Sequence, residues 1–244
     1  MPWLLPFGTA GVSGMTAPLS DHLSRALEAP GEPPLRPLPP VAAELLRSLS
    51  APPRPAAHLR VVHHVAVELV DWVQSRYPDL TVDRDAVLFG ASTHDVGKAL
   101  HPEELVGPGS MHEEAGRDLL LERGFQPALA RFAATHAGWD GPAATIEELP
   151  VSTADKVWKD KRVPHLEDRL VRALASATGR EPWEEYLALH DSLVRLGADA
   201  GRRLAFQSAF PVRPCPVGPA GRATARDPWK RSGPGRRKHP PTRP

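Results

Sequence analysis

The sequence predicts an all-α protein with a single helical domain over residues 41–210, and three observations carry that prediction. Apolar residues recur at three- and four-residue spacing in one segment after another. Capping residues, prolines and glycines bracket those segments as helix starts and stops. Sustained alternating runs of β-branched residues, the mark of strands, are nearly absent. At 244 residues, 41% of them hydrophobic, the chain has enough material for one substantial core. No internal repeat is apparent.

The two ends are a different material. Of 29 prolines, nine lie in residues 1–40 and nine in 211–244. Both stretches are expected to be largely disordered: a Pro-rich N-terminal segment and a basic Pro/Arg-rich tail. The tail holds nine lysines and arginines against Asp227 alone, so the net charge of +1 conceals +8 there and −7 elsewhere. It reads as a solvated extension, with nucleic acid or an anionic membrane surface as the alternative contact. Trp229 is its only aromatic, too few for a stacking platform. Cys215 is the sole cysteine, which excludes an intrachain disulfide and fits a reducing cytoplasm. The first residues have no basic n-region and no apolar run long enough for a signal peptide or a membrane span.

Taken in order, residues 19–29 form a short helix ending before Pro30, and 41–49 a second. After Pro52, Pro53 and Pro55 a long helix runs to about Tyr77, carrying Val62, Val65, Ala66, Leu69, Trp72 and Val73 at helical spacing, and Pro78 stops it. The next opens at Asp83, a good N-cap, and ends at Gly97. Ser110 and Glu113 form a capping-box pattern for a helix that closes at Gly124. Pro127 opens another, which ends at Gly138. Thr145 and Glu148 repeat the capping box for a helix reaching Lys159. Pro164 starts one to Thr178. The last, from Glu181 through Phe206, has Trp183, Tyr186, Leu187, Leu193, Leu196 and Leu204 as core candidates.

The chemistry-bearing stretch is His94-Asp95, at the end of an apolar helix and followed by Gly97-Lys98. A buried histidine and aspartate need a compensating partner, and a metal ion suits both. Adjacent helical side chains diverge by about 100°, so they converge on one ion only near a helix end. Further candidates fall about one per helix: His58 on the apolar face of the long helix, His112 in a first turn, His136 near a helix end, and Asp155 in an apolar setting. Any one alone is more simply a hydrogen-bonded core residue or half of an ion pair. As a set they point to a divalent ion such as Fe, Mn, Zn or Mg, and the lack of core cysteine argues against a structural zinc.

With these residues in place, the order His58, His94-Asp95, Asp155 on an all-helical frame resembles the HD-domain superfamily of metal-dependent phosphohydrolases. His112 and His136 are similar to the two histidines of its extended six-ligand form, and Gly97-Lys98 resembles the His-Asp-x-Gly-Lys variant. The resemblance covers about residues 55–160. His63 also has a valine four residues on, so it competes with His58 for the first ligand. The resemblance implies two divalent ions, Asp95 bridging them, that activate a water for attack on phosphorus. Asp95 and Lys98 are then the expected catalytic residues. Lys156, Lys159, Lys161 and Arg162 form a second basic cluster, either for phosphate or as an ordinary solvated helix end. Glu113 is either a partner of His112 or the capping acid, with capping preferred. The expected substrate is a small phosphorylated molecule, with no membrane partner. HD-domain di-iron oxygenases use the same ligands and are the alternative, followed by a non-catalytic HD-type binding module.

Overall fold

The computed structural model describes residues 19–141 and 144–212. Among these the protein is all-helical, without a strand: α1 Leu19–Glu28, α2 Pro40–Ser48, α3 Pro53–Arg76, α4 Arg84–Thr93, α5 Met111–Glu122, α6 Pro127–Thr135, α7 Glu148–Val157, α8 Pro164–Thr178, α9 Pro182–Gly197 and α10 Ala200–Ser208. Two 3₁₀ turns, Val96–Ala99 and Pro102–Leu105, join α4 to α5. No helix among the described residues is long and apolar enough to cross a membrane.

Helix α3 is the axis of the molecule. Ala57, Val61, Val62, Val65, Leu69 and Val73 are all buried, and the helix packs against α1, α4, α7, α9 and α10. A helix apolar on nearly every side is stable only when surrounded, which is why the others gather around it. Pro53 in its first turn costs nothing, because that N–H has no partner within the helix anyway. Asp83 accepts from the Ala86 amide at 2.9 Å and caps α4 as the sequence predicts. Thr145 and Glu148 exchange backbone-to-side-chain bonds at 2.8 and 3.3 Å, so the capping box before α7 forms.

Five expectations meet a different structure. Residues 21–40 are part of the helical body: Leu23, Ala26, Leu27, Leu35 and Leu38 are buried. The prolines forbid long helix there but not burial. The Arg60 guanidinium supplies the missing donors, to the carbonyls of Ala26 (3.3 Å), Leu35 (3.1 Å) and Arg36 (3.3 Å). The buried core therefore takes in residues between 23 and 38, ahead of the start expected at 41. The expected disorder of residues 1–18 and of the basic tail from 213 lies outside the described residues.

The single helix expected over 181–206 is two, broken at Ala198 and Asp199. A side chain on Gly197 would overlap the Asp160 carboxylate, and Arg203 holds the new direction by donating to the carbonyls of Trp158 (2.8 Å) and Leu196. The buried stripe of α9 is also displaced. Trp183, Tyr186 and Leu187 are exposed, and Glu185, Leu189, Leu193 and Leu196 face inward. Glu185 is tolerated there because Arg76 binds both its oxygens (3.1 and 3.2 Å) and the Tyr77 hydroxyl donates to it. Pattern reading excludes an acid from the core and so rotates the helix.

Helix α4 ends at Thr93, four residues before the Gly97 expected to stop it. The Ser92 and Thr93 hydroxyls donate to the carbonyls of Leu88 (2.6 Å) and Phe89 (2.8 Å), a local competition that loosens a last turn. Gly97 has another purpose: a Cβ there would overlap the His112 carbonyl, so the 3₁₀ turn can lie against α5 only with glycine. Finally, Ser110 makes no side-chain cap on α5. Glu104 takes that place, accepting from the amides of Met111 (2.8 Å) and His112 (3.2 Å).

Candidate metal centre

Six side chains from five helical elements converge under a cleft of about 430 Å³, which all but the fully buried His94 line. His58 comes from the second turn of α3, His94 caps the C-terminal end of α4, and Asp95 has already left helical geometry at φ −104°, ψ 14°. That break lets two adjacent residues face one point, which a continuous helix would prevent. His112 lies in the first turn of α5, His136 caps the C-terminal end of α6, and Asp155 is near the end of α7. Gly90 draws α6 close, since a Cβ there would overlap the Phe132 ring, and the His94 and His136 ring centroids come within 5.0 Å.

The Asp95 carboxylate stands between two groups of imidazoles. Its Oδ2 is 3.3 Å from His58 Nε2 and 3.8 Å from His94 Nε2. Its Oδ1 is 3.2 Å from His112 Nε2 and 3.5 Å from His136 Nε2. Asp155 Oδ1 closes the first group, 3.3 Å from His58 Nε2 and 3.5 Å from His94 Nε2. His58, His94 and Asp95, and separately Asp95, His112 and His136, each bring ligand atoms close enough to hold one ion. The structure thus brings all six expected residues together.

The imidazoles are presented for coordination. His94 Nδ1 lies 3.1 Å from the Ala91 carbonyl, His136 Nδ1 2.9 Å from that of Ala133, and His112 Nδ1 2.5 Å from Glu104 Oε2. Nδ1–H donates to each of these acceptors, which leaves the Nε2 lone pair pointing inward. His94 Nε2, His112 Nε2 and Asp95 Oδ1 are buried without a hydrogen-bond partner. Buried, orphaned donors of this kind, imidazole and carboxylate without thiolate, fit a divalent cation.

The electrostatics point the same way. Burial alone would raise the Asp95 carboxyl, but His94, His112 and His58 hold it well below the usual carboxylate range. Asp155 is likewise held down against burial by His58 and His94. Burial pulls the His112 imidazole down, yet Asp95 and Glu104 more than offset it and leave it raised. His136, which has no close carboxylate bond, is pushed down to about 4 by burial and by His94. The centre is a trap for positive charge.

His63 does not compete for the first position. Five residues after His58 it points about 140° away around α3 and is buried elsewhere, beside His64. Lys98 Nζ is 2.6 Å from Asp95 Oδ2 and Lys156 Nζ 2.7 Å from Asp155 Oδ2, and both line the cleft. Lys159 lines it too, whereas Arg162 is turned aside by two bonds to Glu167 at 2.8 and 2.7 Å. Glu113 lines the cleft, and burial raises its carboxyl. Sequence reasoning missed Glu104, Arg54 and Trp158. Glu104 left no periodic signal, only an acid in the loop before a helix. Arg54 lines the cleft while donating to the Phe210 carbonyl at 2.7 Å, and the Trp158 ring stands 5.2 Å from that of His58.

An all-helical frame with histidines and aspartates converging under a cleft defines a candidate metal-binding centre. Residues 56–174 match the family model of the HD domain, and the chain carries an HD domain. HD domains bind divalent metals and belong to a superfamily of metal-dependent hydrolases. A search of curated proteins and one of solved structures gave no match.

Proposed function

We propose that this chain is a metal-dependent phosphohydrolase that cleaves a phosphomonoester or phosphodiester of a small molecule, a nucleotide among the candidates. The split of the Asp95 carboxylate carries the reading, with Oδ2 turned to His58 and His94 and Oδ1 to His112 and His136. One side chain thereby serves two adjacent ion sites. Two divalent ions held there, drawn from Fe, Mn, Mg or Zn, would lower the pKa of a water and neutralise phosphoryl charge.

The remaining steps belong to the chain. His58, His94, Asp95 and Asp155 hold the first ion; His112, His136 and Asp95 hold the second. Phosphoryl transfer spreads negative charge over the equatorial oxygens, so cations beside the ions stabilise it. Lys98 is the proposed catalytic cation, and Lys156 of α7 lines the same cleft; each is paired with a ligand carboxylate. The lone cysteine accords with a cytoplasmic location.

The test is elemental analysis of the purified protein beside a panel of phosphate esters. Two ions per chain and ester hydrolysis are expected, with both lost in the variants His94→Ala and Asp95→Ala while circular dichroism keeps its helical signal. Unchanged metal content in those variants would sink the reading. Substrate-dependent O₂ uptake by the iron-loaded protein, without phosphate release, would replace hydrolysis by oxygenation.

A further inference from the structure

The four histidines of the centre are not held alike. For His94 and His136 the Nδ1 acceptor is a backbone carbonyl three residues back in the same helix, Ala91 and Ala133. Those acceptors are fixed by the helix itself. The Nδ1 acceptor of His112 is a side chain, Glu104, eight residues away on the short 3₁₀ turn Pro102–Leu105. That turn buries no residue completely, and Val106, just after it, is 70% exposed, although the Glu104 side chain itself is turned inward and only 5% exposed. The Glu104 carboxylate nevertheless has three partners, the His112 ring and the amides of Met111 and His112. Gly109 is where the loop returns over it, and a Cβ at that position would overlap the carboxylate.

We propose that Glu104 is the positioning residue of the second ion site. It selects the His112 tautomer with a free Nε2, fixes the ring toward Asp95 Oδ1, and caps the helix that carries it. The first site has four ligands, two of them carboxylates, and its His94 is held by its own helix although His58 Nδ1 has no partner; the second has three ligands and depends for His112 on a side chain of the turn Pro102–Leu105. The two ions are therefore bound with unequal strength, the second ion last to enter and first to leave. This rests on the two-ion reading above.

The measurement is metal content per chain at graded free Mn²⁺, for wild type and for the variants Glu104→Ala and Glu104→Gln. Loss of such a partner weakens a metal site by about 10–100-fold. Glu104→Ala is expected to retain one ion with wild-type affinity and to bind the second about 10–100-fold more weakly. Glu104→Gln, which keeps an acceptor of the same length for Nδ1–H, is expected to recover part of that loss. Should the alanine variant fail to fold, Glu104→Gln still decides, because second-ion affinity equal to wild type overturns the proposal. Two ions bound as tightly as in wild type by Glu104→Ala, or both weakened alike, overturn it as well. A wild type that binds one ion or none instead overturns the two-ion reading itself.

Discussion

His63 is a base kept neutral by its surroundings. Burial, then His64 and the guanidiniums of Arg36, Arg84 and Arg60, push its imidazole down to about 4, and its Nδ1 is buried without a partner. In the unfolded chain the ring titrates near ~6.5. Above that pH both states are neutral; as pH falls from ~6.5 toward 4 only the unfolded chain takes up the proton, and stability drops. The expected loss is about 2 kcal/mol by about pH 5. Melting curves of wild type and a His63→Phe variant check this: the variant's melting temperature should vary less between about pH 7 and 5, and parallel curves would show His63 to be uninvolved. At the centre, Lys98→Met should keep its metal yet lose about 100-fold in kcat/KM on the phosphate ester, the cost typical of removing one donor to a developing charge. Steady-state kinetics with metal analysis on the same sample decide it.

Gly97 shows how one element positions another. The turn Val96–Ala99 lies against α5 because nothing projects from Gly97, and Asp95 and Lys98 reach the cleft from its two sides. Gly97→Ala should push the turn off α5, costing about 2–3 kcal/mol as an overpacked contact. It should also weaken the second ion more than the first, since the displacement falls between Asp95 and His112. Thermal melting and metal titration of that variant test the two halves of the statement separately. The capping patterns at this scale were only half legible. Thr145 and Glu148 pair as their spacing implies, because a capping box is a local contact. Ser110 and Glu113 have the same spacing, but the Glu113 amide binds the Ser110 carbonyl, and Glu104 from outside the helix accepts from the amides of Met111 and His112.

At the scale of the whole molecule, the burial of α3 holds α4 and α7 in register, while α4 and the turn Val96–Ala99 carry α6 and α5 into the centre. Arg60 on α3 also binds the segment between α1 and α2, so the N-terminal part is fastened to the same axis. Arg60→Met should leave three carbonyls without their donor and cost about 2–4 kcal/mol. The expected signs are a lower melting temperature and new protease cleavage between residues 29 and 39, read by mass spectrometry. Cleavage unchanged from wild type would mean that apolar packing alone holds the segment.

The all-α class, most helix starts and the six converging residues could be read from the sequence, because each rests on local spacing. Helical periodicity, proline and N-cap chemistry act over one or two turns, and buried histidine and aspartate are costly wherever they stand. The choice of His58 over His63 rested on the family pattern, and the 140° turn of α3 now separates them. Tertiary structure alone decided the rest. It rotated α9 so that Glu185 could meet Arg76 and Tyr77, split the last helix where α9 meets Asp160, and drew residues 21–40 into the core through Arg60. It also set Glu104 on His112. In each case the partner is a polar group distant in sequence or on another element, whose desolvation is compensated only in the folded chain, and no spacing rule carries that information.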